Sequence, residues 1–360
     1  MKRKKKELIL YIVTIGSCLI AMTIVVIAAL LIYDKIIEDR KLAAEEELAL
    51  EAAAQPEGIS YSKEDVDLML AEAISTAETT TRQQVSAEIL DQLQASVEGG
   101  ATMLEALRPI YKDKIVVISN GVFHFVPIDR NLKQSKLVQE NLNVLENGEL
   151  QYVQDGQVIS HKGIDVSKYQ GNIDWKKVAE SGVEYAFVRV GVRGYGQEGR
   201  LSLDERYQEN IKGATAAGIK VGVYFFSQAI TEEEALEEAN LVLDAISGLD
   251  VTYPVVYDVE KTGAKDGRMN QLTVEERTKM AHVFIDRIKE AGYTPMIYAN
   301  MEMWSVLINM SEFEDVDKWY AYYSPTLYFP YEYAVWQYSD TGSVPGIQGE
   351  VDLNISFKEW

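Results

Sequence analysis

The feature that constrains the fold most is a regular alternation of strand-like and helix-like segments from Gly163 to the C-terminus. Short β-branched and aromatic runs alternate with longer amphipathic stretches, a pattern typical of parallel βαβ units. The predicted strands are 163–166, 185–192, 220–227, 254–260, 294–300, 319–323, 333–338 and 351–355, and the predicted helices are 175–181, 206–217, 232–247 and 274–291. Eight strands in about two hundred residues predict an α/β fold with a closed, TIM-like barrel that lacks several helices in its last third.

The fourth predicted strand ends in two acids. Residues 254–260 read PVVYDVE, which places Asp258 and Glu260 two positions apart. Strand side chains alternate between faces, so both carboxyl groups point the same way. Like charges on one face are costly, because one of them must be kept neutral. Glycoside hydrolysis needs such a pair, with one protonated and one ionised carboxyl group. Taken alone, the pair also fits an acidic, solvated strand end.

The barrel gives two further acids the same location. Active sites of such barrels lie at the carboxyl ends of the strands. Asp165 closes the first predicted strand and Asp352 lies in the last one. First and last strands become neighbours when a sheet closes. We therefore expect Asp165, Asp258, Glu260 and Asp352 to face one another at a single mouth.

The N-terminal segment has the pattern of a membrane anchor. Residues 1–7 form a basic tail, and an uncharged apolar run covers residues 8–33. This run exceeds the ~20 residues that a helix needs to cross a bilayer. A cleaved signal peptide is the competing interpretation, although its apolar core usually has only ~7–15 residues. The positive-inside rule predicts a single-pass protein of the cell membrane with its N-terminus in the cytoplasm and the rest outside.

Two segments separate this run from the predicted barrel. Residues 34–108 are rich in Ala, Glu and Leu and predict a helical stalk. Its apolar stripe is compatible with self-association as a coiled coil and equally with a solvated spacer. Residues 109–162 predict a small α+β module, or an elaboration packed on the main domain, with hairpins at Asn120-Gly121 and Asp155-Gly156 and a short helix at 132–145.

Composition argues against several classes of partner. The net charge of -21 and the pI near 4.6 disfavour nucleic acid. Cys18 is the single cysteine, and His124, His161 and His282 lack ligand spacing. We therefore predict no metal site and no cofactor.

Six motifs give the last two hundred residues a resemblance to a known family. They are GIDVSKYQGNIDW at 163–175, AFVRVG at 186–191, GVYFFS at 222–227, YDVE at 257–260, WQYS at 336–339 and VDLN at 351–354. In order and spacing they resemble glycoside hydrolase family 25, the Chalaropsis-type lysozymes. This resemblance implies a flattened (β/α)5(β)3 barrel. It also implies hydrolysis of the β-1,4 bond between N-acetylmuramic acid and N-acetylglucosamine in peptidoglycan.

The resemblance also implies roles for individual residues. Glu260 would be the general acid, with its pKa raised by burial and by the charge of Asp258. Asp258 would stabilise positive charge on the sugar or orient its 2-acetamido group. Asp165 and Asp352 would bind sugar or position water. The residues expected to orient these acids and line the sugar cleft are Arg189, Tyr224, Tyr298, Trp336 and Tyr338.

One departure from the family pattern is visible at Tyr224-Phe225-Phe226, where members often carry Tyr-His-Phe. This change removes a polar group and leaves the acids intact. For Trp336, packing in the core is as compatible with the sequence as contact with sugar.

The leading hypothesis is a membrane-tethered muramidase that acts on glycan strands outside a Gram-positive cell, in cell wall remodelling or lysis. The alternatives are a catalytically silent peptidoglycan-binding or scaffold protein and, third, a different wall enzyme such as an amidase.

Overall fold

The computed structural model of the chain describes residues 62–360. The predicted basic tail (1–7), the predicted membrane span (8–33) and the first part of the predicted stalk lie outside these residues. Across 62–360, no helix combines the length and the apolar character that crossing a membrane requires. The chain divides after Ile110 into two compact units.

The described part of the first unit is helical. Helix α1 covers Lys63–Glu98 and helix α2 covers Met103–Leu107. Thr102 caps α2 through a capping box, because its hydroxyl accepts from Glu105 N and the Glu105 carboxylate accepts from Thr102 N at 2.8 Å. Most side chains of α1 are exposed.

The second unit begins with two small sheets. Strands β1 (Lys114–Ser119) and β2 (Val122–Pro127) form an antiparallel hairpin. Its two-residue turn has φ values of 51° at Asn120 and 76° at Gly121, as the Asn-Gly signal predicts for a type I′ turn. The second sheet contains β3 (Leu142–Val144), β4 (Leu150–Gln154) and β5 (Gln157–Val158).

The helix predicted at 132–145 is wrong. This stretch is extended apart from a 3-10 turn at Gln139–Asn141, and it ends in β3. Its backbone forms hydrogen bonds with a distant segment: Ser135 N donates to Pro330 O, and Glu332 N donates to Lys133 O. These tertiary bonds satisfy the polar groups that a helix would have paired locally.

The rest of the second unit is an α/β fold with a barrel-like sheet, which confirms the predicted fold class at this level. The remaining strands are β6 (His161–Val166), β7 (Tyr185–Arg193), β8 (Leu201–Leu203), β9 (Lys220–Phe226), β10 (Val255–Asp258), β11 (Pro295–Asn300), β12 (Asp317–Ala321), β13 (Val335–Gly342) and β14 (Val351–Ser356). The helices are α3 (Trp175–Glu180), α4 (Tyr207–Ala216), α5 (Glu232–Ile246) and α6 (Val274–Glu290).

Eight of these strands close on themselves. The order is β6-β14-β13-β12-β11-β10-β9-β7, and a β6–β7 pairing completes the ring. All neighbouring pairs are parallel except those of β14, which runs antiparallel to β13 and β6. The short strand β8 was not predicted and pairs antiparallel with β7. Between β11 and β12 a π-helical turn at Met303–Leu307 takes the place of a regular helix.

Aromatic side chains fill the inside of the barrel. The ring of Tyr185 stacks on Tyr253, and the ring of Phe187 stacks on Trp319 at a centroid distance of 4.5 Å. A Cβ atom at Gly163 would overlap the Tyr185 ring, so glycine is required there. A separate apolar core lies between the outer face of the sheet and the helices. Because the interior is packed, polar groups can collect only beyond the strand ends.

Candidate active site

A cavity of about 460 Å³ lies at the carboxyl ends of the barrel strands. Asp165, Asp258, Glu260 and Asp352 all line it. The structure thus brings together four acids that are up to 187 positions apart in the sequence (352 − 165). This cavity is called the cleft below.

Strand pairing positions each acid. Asp165 and Asp352 are direct cross-strand partners in the antiparallel pair β6–β14. Asp258 is the last residue of β10, so the strand predicted to reach Glu260 ends two residues earlier. Val259 N still donates to Tyr298 O at 3.1 Å. This bond to β11 extends the alternation by one step, which keeps Glu260 on the same side as Asp258.

Two side-chain amides hold Asp165. Its Oδ2 atom accepts from Gln337 Nε2 and from Asn354 Nδ2, both at 2.8 Å. The oxygen atoms of these amides are also occupied. Asn354 Oδ1 accepts from Trp319 Nε1 at 2.8 Å, and Gln337 Oε1 accepts from the hydroxyls of Tyr298 and Tyr323. The amides are therefore fixed in orientation, with their N–H groups directed at Asp165.

The Asp165–Asp352 pair shares a proton. Burial raises the pKa of Asp165 to about 6, and the hydrogen bonds from Asn354 and Gln337 oppose this rise. Burial and the charge of Asp165 raise the pKa of Asp352 to about 9. At neutral pH Asp352 is therefore the protonated partner and Asp165 carries the charge.

The Asp258–Glu260 pair also shares a proton. Burial raises the pKa of Asp258 well above its usual range, and the charge of Glu260 raises it further. Burial also raises the pKa of Glu260, while its hydrogen bond with Asp258 lowers it. The charge that raises the pKa of Glu260 is that of Asp165. The expectation that the charge of Asp258 raises it is therefore wrong. Within residues 62–360, buried Asp258 Oδ1 has no hydrogen-bond partner.

Arg189 lines the cleft, but its partner is not one of the four acids. Its Nε and Nη2 atoms donate to Oδ2 of Asp204 at 3.0 and 2.8 Å. The expectation that Arg189 orients the acids directly is therefore wrong. Asp204 lies beyond β8, a strand that the sequence pattern did not predict, which explains why it was missed.

Four aromatic residues were expected at the cleft, and the structure separates them. Tyr224 and Tyr298 line it. Trp336 and Tyr338 do not, and this part of the prediction is wrong. Their strand alternates, so Gln337 faces the cleft while its two neighbours face the outer core. Trp336 is fully buried there and donates from Nε1 to Tyr322 O at 2.8 Å.

Several residues of the cleft were missed by sequence reasoning. They are Tyr169, Tyr195, Trp319 and Gln337 at the lining, with Asn354 behind Asp165. Tyr323 also lines the cleft; the tyrosine-rich stretch 320–333 was compatible in sequence with either an aromatic cleft wall or a core. Gln337 carried a usable signal, because it lies at alternate spacing within a motif already singled out. Tyr169 also lies within a motif already singled out, whereas Tyr195 carried no signal, since nothing local distinguishes a rim tyrosine from one in the core.

Among the described residues, one group of side chains could hold a metal ion. His161, Glu184 and Glu359 bring one ligand atom each within 4.8 Å of one another. The group lies at the start of β6, whereas Asp165 lies near its end, so it does not contribute to the cleft.

Two curated proteins and one solved structure place this geometry in context. The autolytic lysozyme of Clostridium acetobutylicum is 30% identical over 196 residues, which are 54% of this chain and 55% of that protein. Lysozyme M1 of Streptomyces globisporus is 27% identical over 208 residues, covering 54% of this chain and 66% of that protein. The chain thus spans just over half the length of the clostridial relative.

The modular autolysin LytC of Streptococcus pneumoniae has a similar fold, with a TM-score of 0.50 and 24% identity over 67% of this chain and 57% of that one. Its structure has also been solved in complex with a synthetic peptidoglycan ligand.

The family comparison covers most of the barrel. Residues 164–347 match the model of glycosyl hydrolases family 25. This segment is just over half of the 360 residues, and it contains three of the four acids of the cleft. With its barrel and its paired carboxyl groups, the chain belongs to glycosyl hydrolases family 25.

Proposed function

We propose that this chain is a Chalaropsis-type muramidase that hydrolyses the β-1,4 bond between N-acetylmuramic acid and N-acetylglucosamine in peptidoglycan. The observation that carries the proposal is the meeting of four carboxyl groups, Asp165, Asp258, Glu260 and Asp352, in one open cleft. Glycosidases use one protonated and one ionised carboxyl group at the scissile bond. The similarity to an autolytic lysozyme supports the same chemistry.

Glu260 is the proton donor in this proposal. The proton held by Asp258 in the free protein passes to Glu260 along their hydrogen bond, and Glu260 then delivers it to the leaving glycosidic oxygen. This transfer leaves Asp258 negatively charged as positive charge develops on the sugar. Its unpartnered Oδ1 can accept from the N–H of the 2-acetamido group and orient that group as nucleophile. One shared proton thus prepares both carboxyl groups for their tasks.

Asp165 and Asp352 act as a second, fixed unit. Charged Asp165, held by two amides, contributes a constant negative potential to the cleft. It raises the pKa of both Asp258 and Glu260. We therefore propose that the second pair keeps the shared proton in the first pair at neutral pH.

The proposed location is the outer face of the cell membrane. The apolar run 8–33 would cross the lipid bilayer once, with the basic tail in the cytoplasm. Residues 34–108 would then act as a stalk, with self-association through it as a further possibility. Fractionation of cells expressing the full chain, compared with a chain that starts after Tyr33, tests this anchor. Recovery of the full chain in the soluble fraction would refute it.

The activity is tested by digesting purified peptidoglycan with the full chain and analysing the products by mass spectrometry. A muramidase leaves reducing muramic acid ends. Glu260→Gln should abolish these ends, while Glu275→Gln, an exposed change in the first turn of α6, should not. An amidase would instead release stem peptides from intact glycan. If neither wild type nor Glu260→Gln leaves reducing ends although both bind peptidoglycan, the chain is a peptidoglycan-binding protein without turnover.

A further inference from the structure

An exposed tyrosine stands at the rim of the cleft on a rigid turn. Tyr169 lies in the 3-10 turn Lys168–Gln170, directly after β6, and it lines the cleft. It is 75% exposed. The turn is pinned by a capping box, in which Ser167 N donates to Gln170 Oε1 at 2.9 Å. An exposed aromatic ring is therefore carried on a turn whose backbone is tied by hydrogen bonds.

One face of this ring is occupied. The guanidinium carbon of Arg189 lies 5.0 Å from the ring centroid of Tyr169, a cation–π contact. Arg189 itself is only 14% exposed at its side chain. Because Tyr169 lines the cleft and most of its side chain is exposed, the part of the ring that the guanidinium does not cover is available to a ligand there.

A single buried carboxylate fixes both partners of this contact. Asp204, whose side chain is fully buried, accepts from Arg189 Nε and Nη2 through Oδ2. The same oxygen accepts from the backbone N–H of Lys168 at 3.0 Å, at the start of the turn that carries Tyr169. Oδ1 accepts from Arg206 N. Asp204 therefore sets the position of the ring and of the cation beneath it.

The exposed aromatic face of Tyr169 is suited to contact with a pyranose ring. The face of an aromatic ring is electron-rich, and the C–H groups on one face of a sugar carry partial positive charge. A planar face at the rim of an acidic cleft offers apolar contact without adding charge.

We propose that Tyr169 is a specificity-determining platform that stacks on a sugar ring of the glycan strand beside the scissile bond, and that Asp204 is a positioning residue acting on it through Arg189 and the turn. The proposal rests on the proposed function for the identity of the ligand. In this proposal Tyr169 and Asp204 determine the affinity for glycan and do not take part in the chemical step.

Binding is measured with the full chain carrying Glu260→Gln, so that bound glycan strands are not cut. The probe is peptide-free glycan strands prepared from peptidoglycan. Tyr169→Ala should weaken binding by roughly three- to tenfold, as the loss of one aromatic stacking contact predicts. Tyr169→Phe keeps the ring and should recover most of the affinity. Val144→Ala is the matched control, because it truncates an exposed side chain of β3 outside the cleft.

Asp204→Asn tests the positioning role by a double-mutant cycle. It should weaken glycan binding when Tyr169 is present and add little in the Tyr169→Ala background. A merely structural role would give the same loss in both backgrounds, which would overturn the positioning claim. If Asp204→Asn does not fold, Arg189→Lys answers the same question, because lysine keeps the charge but loses the planar guanidinium.

The kinetic counterpart uses the active chain. Tyr169→Ala should raise KM with little change in kcat, because the platform contributes equally to substrate and transition state. Unchanged binding and KM in Tyr169→Ala would refute the platform. Failure of the proposed function appears separately, as absence of reducing ends from wild type despite glycan binding that still depends on Tyr169.

Discussion

The two carboxyl pairs of the cleft are built in opposite ways. Asp258 and Glu260 come from one strand end, two residues apart, and buried Asp258 Oδ1 has no partner anywhere in residues 62–360. Asp165 and Asp352 come from two strands that close the barrel, and Asp165 accepts from two oriented amides. Neighbouring amides thus hold the Asp165–Asp352 pair at Asp165 Oδ2. The Asp258–Glu260 pair, in contrast, keeps an acceptor without a partner at Asp258 Oδ1.

This difference teaches which pair can carry the reaction. A carboxylate that accepts from two oriented neutral amides has a fixed charge and position, which suits a constant electrostatic role. A pair with an unpaired oxygen and a shared proton can transfer that proton and accept a new partner. In the proposed mechanism the Asp258–Glu260 pair is reactive and the Asp165–Asp352 pair is supporting.

Glu260→Gln should have the largest effect. A general acid typically contributes about 10²–10⁴-fold to the rate, so kcat for release of reducing ends should fall by about that factor. The melting temperature should not fall, because the glutamine can accept the hydrogen bond from Asp258. An equal loss of kcat in Asp352→Asn would contradict the division into a reactive and a supporting pair.

Asp258→Asn should have the next largest effect. The amide keeps the size of the side chain but cannot become negatively charged when the sugar does, so kcat should fall by about 10²–10³-fold. KM should change little, since the lost interaction develops in the transition state. Steady-state kinetics on soluble glycan strands provide the measurement. A loss confined to KM would show that Asp258 only binds substrate.

Asn354→Ala tests the amides that hold the supporting pair. It removes a donor from Asp165 and leaves Trp319 Nε1 without its acceptor. Leaving buried polar groups unpaired should lower the free energy of unfolding by about 1–3 kcal/mol, measured by urea denaturation. Asn143→Ala, an exposed change in β3, is the control and should stay within about 0.5 kcal/mol. Equal stability of the two variants would show that Asn354 does not hold Asp165 in place.

Asp352→Asn should have the smallest effect, visible in the pH dependence of stability. The pKa of Asp352 is raised to about 9 by burial and by the charge of Asp165. The folded chain therefore holds this proton from about pH 4, where an unfolded Asp releases it, up to about pH 9, and the free energy of unfolding falls as pH rises.

Asp352→Asn removes this titration. Its stability relative to wild type should therefore increase between about pH 5 and about pH 8 in chemical denaturation. A difference that stays constant over this range would show that Asp352 titrates normally in the folded chain.

Local sequence pattern predicted most of the barrel. Seven of the eight predicted strands lie within two residues of the observed ones at both ends, and the four helices correspond closely. The strand predicted at 333–338 begins two residues later and continues to Gly342. Hydrophobic period and turn residues act over a few positions, so a local signal suffices. It failed at 132–145, where hydrogen bonds to Pro330 and Glu332 replace local pairing, and at β8, which is too short to show a period.

The cleft was predictable only in part. The barrel rule located the four acids, because strand ends of a closed sheet share one rim. The same alternation rule, applied to β13, would have excluded Trp336 and Tyr338 and included Gln337. The hydrogen bond from Arg189 to Asp204 could not be predicted in this way, because no local pattern defines the path of the loop that brings the two residues together.

The sequence by itself determined the order of strands and helices, the family resemblance and the location of the four acids at the strand ends. These features follow from periodicity and motif order along the chain. Only the tertiary structure decided which acid of each pair holds the proton and which donors fix Asp165. A pKa depends on burial and on charges brought from distant positions, so it exists only once the barrel has closed. For the same reason, the support of Tyr169 by Arg189 and Asp204 belongs to the fold and not to any single stretch of sequence.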